Sequence, residues 1–166
     1  IAYLRSRKNQ ELLIRAMAKL HNSALTCVCI GADREGYRAQ LEKLASDLGV
    51  RVTFTGEVSK AEVNRLVNQS KIGVLCARRD AVPRAILEYM AADVPVLVNA
   101  ELLAGARYVG PQAGLVKPPA EFHLGLAELL ENRRNYSPRA FFLEKYSKEK
   151  TLDTFQKLLQ NAGVNI

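Results

Sequence analysis

Short apolar runs alternate with amphipathic segments along this chain, and that alternation limits the folds it can adopt. Apolar runs occupy residues 1–4, 25–30, 50–55, 72–76, 96–98 and 114–116, and helical periodicity occupies residues 9–21, 36–48, 59–70, 83–92, 120–132 and 147–160, with a helical turn near 103–109. Strands that alternate with helices indicate βαβ units and a parallel sheet. The sequence therefore predicts a single α/β domain over residues 1–166, a Rossmann-like three-layer sandwich with a mostly parallel sheet of about six strands.

Several residues mark where the predicted helices begin and end. Ser59 and Glu62 have the spacing of a capping box, and Gly49 is a typical stop signal for the helix before it. Pro83 suits a first helical turn. Two further dipeptides that contain proline are interpreted as loops within the domain, namely Pro118-Pro119 and Ser137-Pro138.

The composition is that of an ordinary globular protein with surplus positive charge. The net charge is +7 and 48% of the residues are hydrophobic, which excludes disordered and disulfide-rich classes. The three cysteines form no disulfide framework, and we expect buried free thiols and no metal site. No apolar run approaches the roughly 20 residues of a membrane span, and we expect no signal peptide. Because the sequence starts inside an apolar run without an initiator Met, we expect it to be part of a longer protein.

Candidate ligand-binding residues follow the predicted strands. In an open parallel sheet, ligands bind at the carboxyl ends of the strands. The residues at those ends are Arg5, Arg7 and Lys8, then Gly31, then Gly56, Glu57 and Val58, then residues 78–83, and finally Asn99. No G-x-G-x-x-G follows a strand and no phosphate-binding P-loop is present, so neither standard nucleotide motif applies. The basic residues and glycines at this edge favour an anionic ligand.

The segment 78–95 is the most informative part of the chain. Pro83 presets the backbone at the predicted helix start, and the capping position falls on Val82, whose side chain accepts no hydrogen bond. The N–H groups of Arg84 and Ala85 are then available to an anion, with the helix dipole behind them. Asp80 and Glu88 lie on either side of this helix start.

This segment resembles the glycosyltransferases of the GT-B fold, specifically family 4, also called group 1. Asp80 and Glu88 match the two acidic residues of that family's motif, and residues 86–96 match the helix and strand after it. The resemblance extends to residues 8–14, 54–58 and 114–116, in the same order along the chain. Three positions depart from the pattern: Asp80 is usually Glu, the loop at 81–83 is usually rich in glycine, and Asp93 is usually Gly.

The resemblance implies a role for each matched residue. Glu88 would bind the ribose hydroxyls of a nucleotide sugar and Asp80 would contact the transferred sugar. Backbone amides near Ala81, Val82, Pro83 and Arg84 would hold the diphosphate, although Pro83 has no N–H. Lys8 and Arg5 would neutralise the leaving diphosphate, with Arg7 as the substitute for Arg5. Gly56, Glu57 and Val58 would face the base, beside Gly31.

The implied activity is transfer of a sugar from a UDP- or GDP-linked donor to a glycan or lipid-linked acceptor, with retention and without a metal cofactor. We expect this chain to be the donor-binding domain of a bacterial-type enzyme of polysaccharide biosynthesis, inactive by itself, because the N-terminal acceptor-binding domain is absent from it. The expected location is the cytoplasm, with the inner face of the membrane as a site of association.

Other interpretations of the same residues stay open from sequence alone. Glu88 and Arg84 have the spacing of a surface ion pair on one helix, and Arg78 and Arg79 suit either a solvated pair or the donor pocket. The alternative function is a non-catalytic nucleotide- or nucleic-acid-binding domain of the same fold. The aromatic residues of this chain are not interleaved with basic ones, which argues against a nucleic-acid partner.

Overall fold

The strands of the protein form two parallel sheets. The computed structural model describes residues 1–80 and 83–163. Its five strands are β1 (Thr26–Ile30), β2 (Arg51–Gly56), β3 (Gly73–Leu75), β4 (Val96–Asn99) and β5 (Gly114–Lys117). One sheet pairs β1 with β2 and the other has the order β3-β4-β5, with every pair parallel. The predicted α/β, Rossmann-like class is confirmed, whereas the predicted single sheet of about six strands is replaced by two sheets with five strands among the described residues.

The first predicted strand, residues 1–4, is extended but forms no strand in this structure. The N–H of Ala2 donates to the carbonyl of Ile30 and that of Leu4 to the carbonyl of Ala32, each at 2.9 Å. These bonds, and an isolated parallel bridge between Leu4 and Asp33, place the segment beside β1. A 3₁₀ turn at Ser6–Lys8 then ends the extended segment, which leaves too few ladder contacts for a strand.

The helices cover both faces of the sheets. They are α1 (Gln10–Lys19), α2 (Tyr37–Asp47), α3 (Lys60–Gln69), α4 (Arg84–Ala91), α5 (Leu103–Ala106), α6 (Phe122–Asn132), α7 (Pro138–Tyr146) and α8 (Lys148–Asn161). The predicted cap of α3 is present, since the Ser59 hydroxyl accepts a hydrogen bond from the Glu62 N–H at 3.2 Å. None of the described helices is long and apolar enough to cross a membrane.

Helix α7 is the element that the sequence analysis missed. The pair Ser137-Pro138 was interpreted as a loop, but Pro138 is the first residue of this helix. Proline is tolerated there because a first-turn residue needs no N–H for an intrahelical bond. The carboxylate of Asp93 also accepts a hydrogen bond from the N–H of Arg139 at 3.0 Å. Asp93 itself has φ 60°, a left-handed backbone conformation that glycine adopts freely and that aspartate tolerates.

Strand β4 shows how the layers are built. All of its residues are buried, as expected for a strand that is covered on both faces. Val96 and Val98 pack in a cluster with Ile86 of α4, whereas Leu97 packs in a second cluster with Phe122 of α6. Successive side chains of a strand point to opposite faces, so α4 and α6 lie on opposite sides of this sheet. The predicted three-layer arrangement follows from this alternation.

Candidate functional site

A cavity of about 750 Å³ lies between β1 and β3 and reaches the carboxyl ends of the strands. Its lining includes eight of the residues that the sequence analysis singled out, namely Lys8, Gly31, Glu57, Val58, Asp80, Pro83, Arg84 and Glu88. These residues come from four separate segments of the chain. Gly31, Glu57 and Val58 follow the strands of the β1-β2 sheet, and Asp80 and residues 83–88 follow β3, so the carboxyl ends of both sheets open on this cavity.

Lys8 and Asp80 form the central ion pair of this cavity. The Nζ atom of Lys8 lies 2.5 Å from Oδ2 of Asp80, although 72 residues separate them in sequence. Only 14% of the Lys8 side chain and 26% of the Asp80 side chain are exposed. Solvent screens such a pair less than it screens a surface pair, so the pair holds both side chains in place.

Two asparagines fasten the segment that leads to Asp80. The buried Asn99 donates from Nδ2 to the carbonyl of Cys76 at 3.0 Å and accepts from the N–H of Glu101 at 3.1 Å. Asn9 donates to the same carbonyl at 3.4 Å, from a left-handed backbone conformation with φ 54°. The carbonyl of Cys76, directly after β3, is thereby tied to β4 and to the residue after Lys8. Sequence analysis placed Asn99 at this edge but assigned it no role; the signal was a polar residue at the end of an apolar strand.

The start of α4 faces the same cavity. Pro83 is its N-terminal capping residue, one position later than the predicted cap at Val82, and no side chain in the described part of the chain caps the helix. Ala81 and Val82 lie outside the described residues. Among the described residues, no hydrogen-bond acceptor contacts the backbone N–H groups of Arg84 and Ala85. These two donors and the dipole of the eight-residue helix form a site that suits an anion.

Glu88 lies one turn further along α4 and is exposed at the cavity. It forms no ion pair with Arg84 among the described contacts, so the surface pair that the spacing allows is not made. The side chain of Arg78 pairs with Glu101 at 3.3 Å, and 67% of the Arg78 side chain and 49% of the Glu101 side chain are exposed. Tyr89 is buried, and its hydroxyl lies 2.9 Å from the backbone nitrogen of Ile1. Glu88 is therefore the α4 carboxylate that is available to a ligand.

The opposite wall includes Gly31, directly after β1, which is bonded to Gly56 at the end of β2. The N–H of Gly31 donates to the carbonyl of Gly56 at 2.9 Å, and Gly56 has φ 70°. Gly31 has φ 140°, and a Cβ atom there would lie 2.2 Å from the carbonyl oxygen of Ala2. Its glycine is therefore required by the close approach of residues 1–4. Glu57 is exposed and lies 3.9 Å from Arg34, in a loose surface pair.

Arg5 and Arg7 lie apart from the cavity lining. The Nε atom of Arg5 is 3.5 Å from Oε1 of Glu35, and its guanidinium lies 5.7 Å from the centre of the Tyr3 ring. Arg7 is exposed, and its carbonyl accepts a hydrogen bond from the N–H of Arg78 at 3.3 Å. Of the three basic residues predicted at the first strand, the structure brings Lys8 to the cavity.

The three cysteines are free, as predicted, and two of them are buried. Burial raises the pKa of the Cys76 thiol to about 12, so this thiol is protonated at neutral pH. The described residues contain no cluster of three or more His, Cys, Asp or Glu side chains that could hold a metal ion.

The fold is that of the Rossmann-like domains of the GT-B class. The sequence model of the family described as glycosyl transferases group 1 matches residues 1–150, and the chain belongs to this family. A search of curated protein sequences found no match.

Three solved structures illustrate the similarity in fold. The catalytic domain of cholesterol-α-glucosyltransferase from Helicobacter pylori is 20% identical with a TM-score of 0.72, and the match covers 85% of this chain and 91% of that one. HepE from Anabaena, solved in complex with UDP, is 20% identical with a TM-score of 0.81, covering 97% of this chain and 47% of that one. The C-terminal domain of LpcC from Francisella tularensis is 17% identical with a TM-score of 0.78, covering 89% and 84%. The chain thus spans about half the length of HepE.

Proposed function

We propose that this chain is the donor-binding domain of a family 4 glycosyltransferase that moves a sugar from a nucleotide-diphosphate sugar to a glycan or lipid-linked acceptor. Membership of the group 1 family supports a transferase. The observation that carries the proposal is the convergence of Lys8, Asp80 and Glu88 with the uncapped start of α4 in one cavity. These groups offer a cation, two carboxylates and backbone donors, which complement the charges and hydroxyls of a nucleotide sugar.

Each proposed role follows from the position of the group. The diphosphate would be held by the backbone N–H groups of Arg84 and Ala85 and by the ammonium of Lys8. All of these are hydrogen-bond donors at the cavity, and Lys8 also carries a positive charge. Glu88, exposed one turn along α4, would accept hydrogen bonds from the ribose hydroxyls. Asp80 would accept them from the transferred sugar. The proposed base contacts lie on the opposite wall, at Glu57 and Val58.

Arg5 has a weaker case than Lys8. In this structure it pairs with Glu35 and does not line the cavity, so a role at the diphosphate requires its side chain to move. The proposal assigns the leaving-group charge first to Lys8 and the helix start.

The proposed chemistry breaks the anomeric C–O bond of the donor, and its electron pair stays with the nucleotide diphosphate. The acceptor oxygen forms the new bond to the anomeric carbon and loses its proton. Positive groups that face the departing diphosphate stabilise the charge that develops there. We propose that protein cations and helix donors suffice without a metal, and that the anomeric configuration is retained.

The remaining parts of the proposal concern the whole enzyme. HepE, about half of which this chain matches, was solved with UDP and with UDP-glucose, which supports a uridine nucleotide as the first ligand to test. We propose that a separate N-terminal domain binds the acceptor, so that this chain alone binds the donor without turnover. We also propose a bacterial enzyme of polysaccharide biosynthesis that works in the cytoplasm, where its net charge of +7 favours anionic membrane surfaces.

Amide NMR titrations with UDP, GDP, ADP and their sugars test this function. We expect millimolar-range binding of one nucleotide, with shifts at residues 84–88 and at Lys8. Glu88→Ala should weaken that binding at least tenfold, because the ribose loses its acceptor. Glu149→Ala is the matched control, since Glu149 is an exposed helical glutamate away from the cavity.

The contrary results are equally specific. No response to any of the six ligands would contradict donor binding by this chain. Equal weakening by Glu88→Ala and Glu149→Ala would contradict the role of Glu88. Binding of single-stranded DNA that falls steeply with salt would favour the nucleic-acid alternative instead.

A further inference from the structure

The ion pair between Lys8 and Asp80 presents the proposed donor site with a conflict of charge. Lys8 is the basic residue of the first loop that lines the cavity, and its charge is neutralised at 2.5 Å by Asp80. A diphosphate that binds Lys8 must therefore compete with a carboxylate that is already in place. The pair is mostly shielded from solvent, so the competition is not removed by screening.

We infer that Asp80 is a displaceable counter-ion of Lys8 that makes the site prefer an intact nucleotide sugar over the free nucleoside diphosphate. This inference rests on the proposed function. A nucleotide sugar brings hydroxyl groups that can donate hydrogen bonds to Asp80 while its phosphates take over Lys8. A nucleoside diphosphate takes over Lys8 and leaves Asp80 without a partner, beside an added negative charge.

The surroundings of the pair support exchange of partners within a fixed frame. Asn9 and Asn99 both donate to the carbonyl of Cys76, so the segments that carry Lys8 and Asp80 are tied at their bases. The Lys8 chain is long and flexible, whereas Asp80 is short. Lys8 can therefore swing between the carboxylate and a phosphate while the backbone stays in place.

The inference gives Asp80 a part in the release of product. Once the sugar has left, the carboxylate has lost its hydroxyl partners and regains Lys8, which lowers the affinity for the diphosphate. The carboxylate of Asp80 lies within direct reach of the Lys8 ammonium, so the pair re-forms without movement of the backbone.

The test compares three probes, UDP, UDP-glucose and inorganic pyrophosphate, by calorimetric or NMR titration of the full chain. Asp80→Asn should tighten the binding of UDP and pyrophosphate about three- to tenfold, because Lys8 is freed. The affinity for UDP-glucose should rise less or fall, because the amide of the Asp80→Asn variant is a weaker acceptor for the sugar hydroxyls than the Asp80 carboxylate. The affinity for UDP-glucose should therefore fall relative to the affinity for UDP.

Two further variants separate this role from a general effect of charge. Glu101→Gln removes one negative charge beside Arg78 without touching Lys8, and it should change all three affinities by less than twofold in the same direction. In a Lys8→Ala background, Asp80→Asn should no longer tighten the binding of UDP or pyrophosphate. Thermal unfolding of each variant identifies any loss of fold.

The outcomes distinguish the two proposals. Wild-type binding of UDP with an unchanged or weakened affinity in Asp80→Asn would overturn the counter-ion role and leave the proposed function standing. An equal gain in Glu101→Gln, or a gain that persists without Lys8, would also overturn it. A wild-type chain that binds none of the three probes, nor the corresponding guanosine and adenosine ligands, would overturn the proposed function together with this inference.

Discussion

The two walls of the cavity are held in place by different means. On the β3–β4 wall, buried side chains do the positioning: Asn99 is 0% exposed, and Lys8 and Asp80 are paired 2.5 Å apart. On the β1–β2 wall, backbone contacts between Gly31 and Gly56 do it, and the nearby side chains of Arg34 and Glu57 are 48% and 74% exposed. Side-chain substitutions should therefore reduce the free energy of unfolding most on the β3–β4 wall. The second wall should tolerate them, as long as its glycines are kept.

The largest expected effect comes from the core beneath the β3–β4 wall. Leu97→Ala should reduce the free energy of unfolding by about 3 kcal/mol, because Leu97 is fully buried between β4 and α6. Val28→Ala in β1 is the comparison, and it should cost less than about 1 kcal/mol since Val28 is 42% exposed. Denaturant unfolding of both variants measures the contrast. Equal losses would show that the two sheets contribute alike.

A smaller effect is expected from Asn99 itself. Asn99→Leu keeps the shape of the side chain but leaves the Glu101 N–H without its acceptor and the Cys76 carbonyl with only the longer bond from Asn9, at a cost of about 2 kcal/mol. Asn64→Leu on the exposed face of α3 serves as the control and should cost less than about 0.5 kcal/mol. The same unfolding measurement applies. A neutral Asn99→Leu would show that the buried amide does not hold this wall.

The smallest effect is expected on the β1–β2 wall. Arg34→Ala removes a pair at 3.9 Å from Glu57 and a contact with the Tyr3 ring, both at the surface. We expect a change below about 0.5 kcal/mol in the free energy of unfolding, because exposed ion pairs contribute little. The change should also be nearly the same at low and high salt. A loss above 1 kcal/mol would mean that side chains position this wall as well, and would remove the contrast between the two.

Several parts of the candidate site could be predicted from the sequence because they depend on local patterns. The uncapped start of α4 follows from Pro83 and the residues around it, although the cap lies one position later than predicted. The position of Glu88 one turn further along follows from helical periodicity. The helix at α7 was missed because Ser137-Pro138 has the composition of a turn, and only its packing against α4 shows that the proline begins a helix.

Sequence patterns predict the α/β class, the order of most strands and helices, and the edge at which the candidate site lies. These depend on periodicity within short segments and on the common direction of parallel strands. Only the folded structure shows that Lys8 pairs with Asp80 and that Arg5 pairs with Glu35. It also shows the hydrogen bond from Asn99 to the Cys76 carbonyl. It also showed that Gly31 is needed because the Ala2 backbone passes against it. Each of these contacts joins residues more than 20 positions apart, and no local pattern encodes which distant group a side chain will meet.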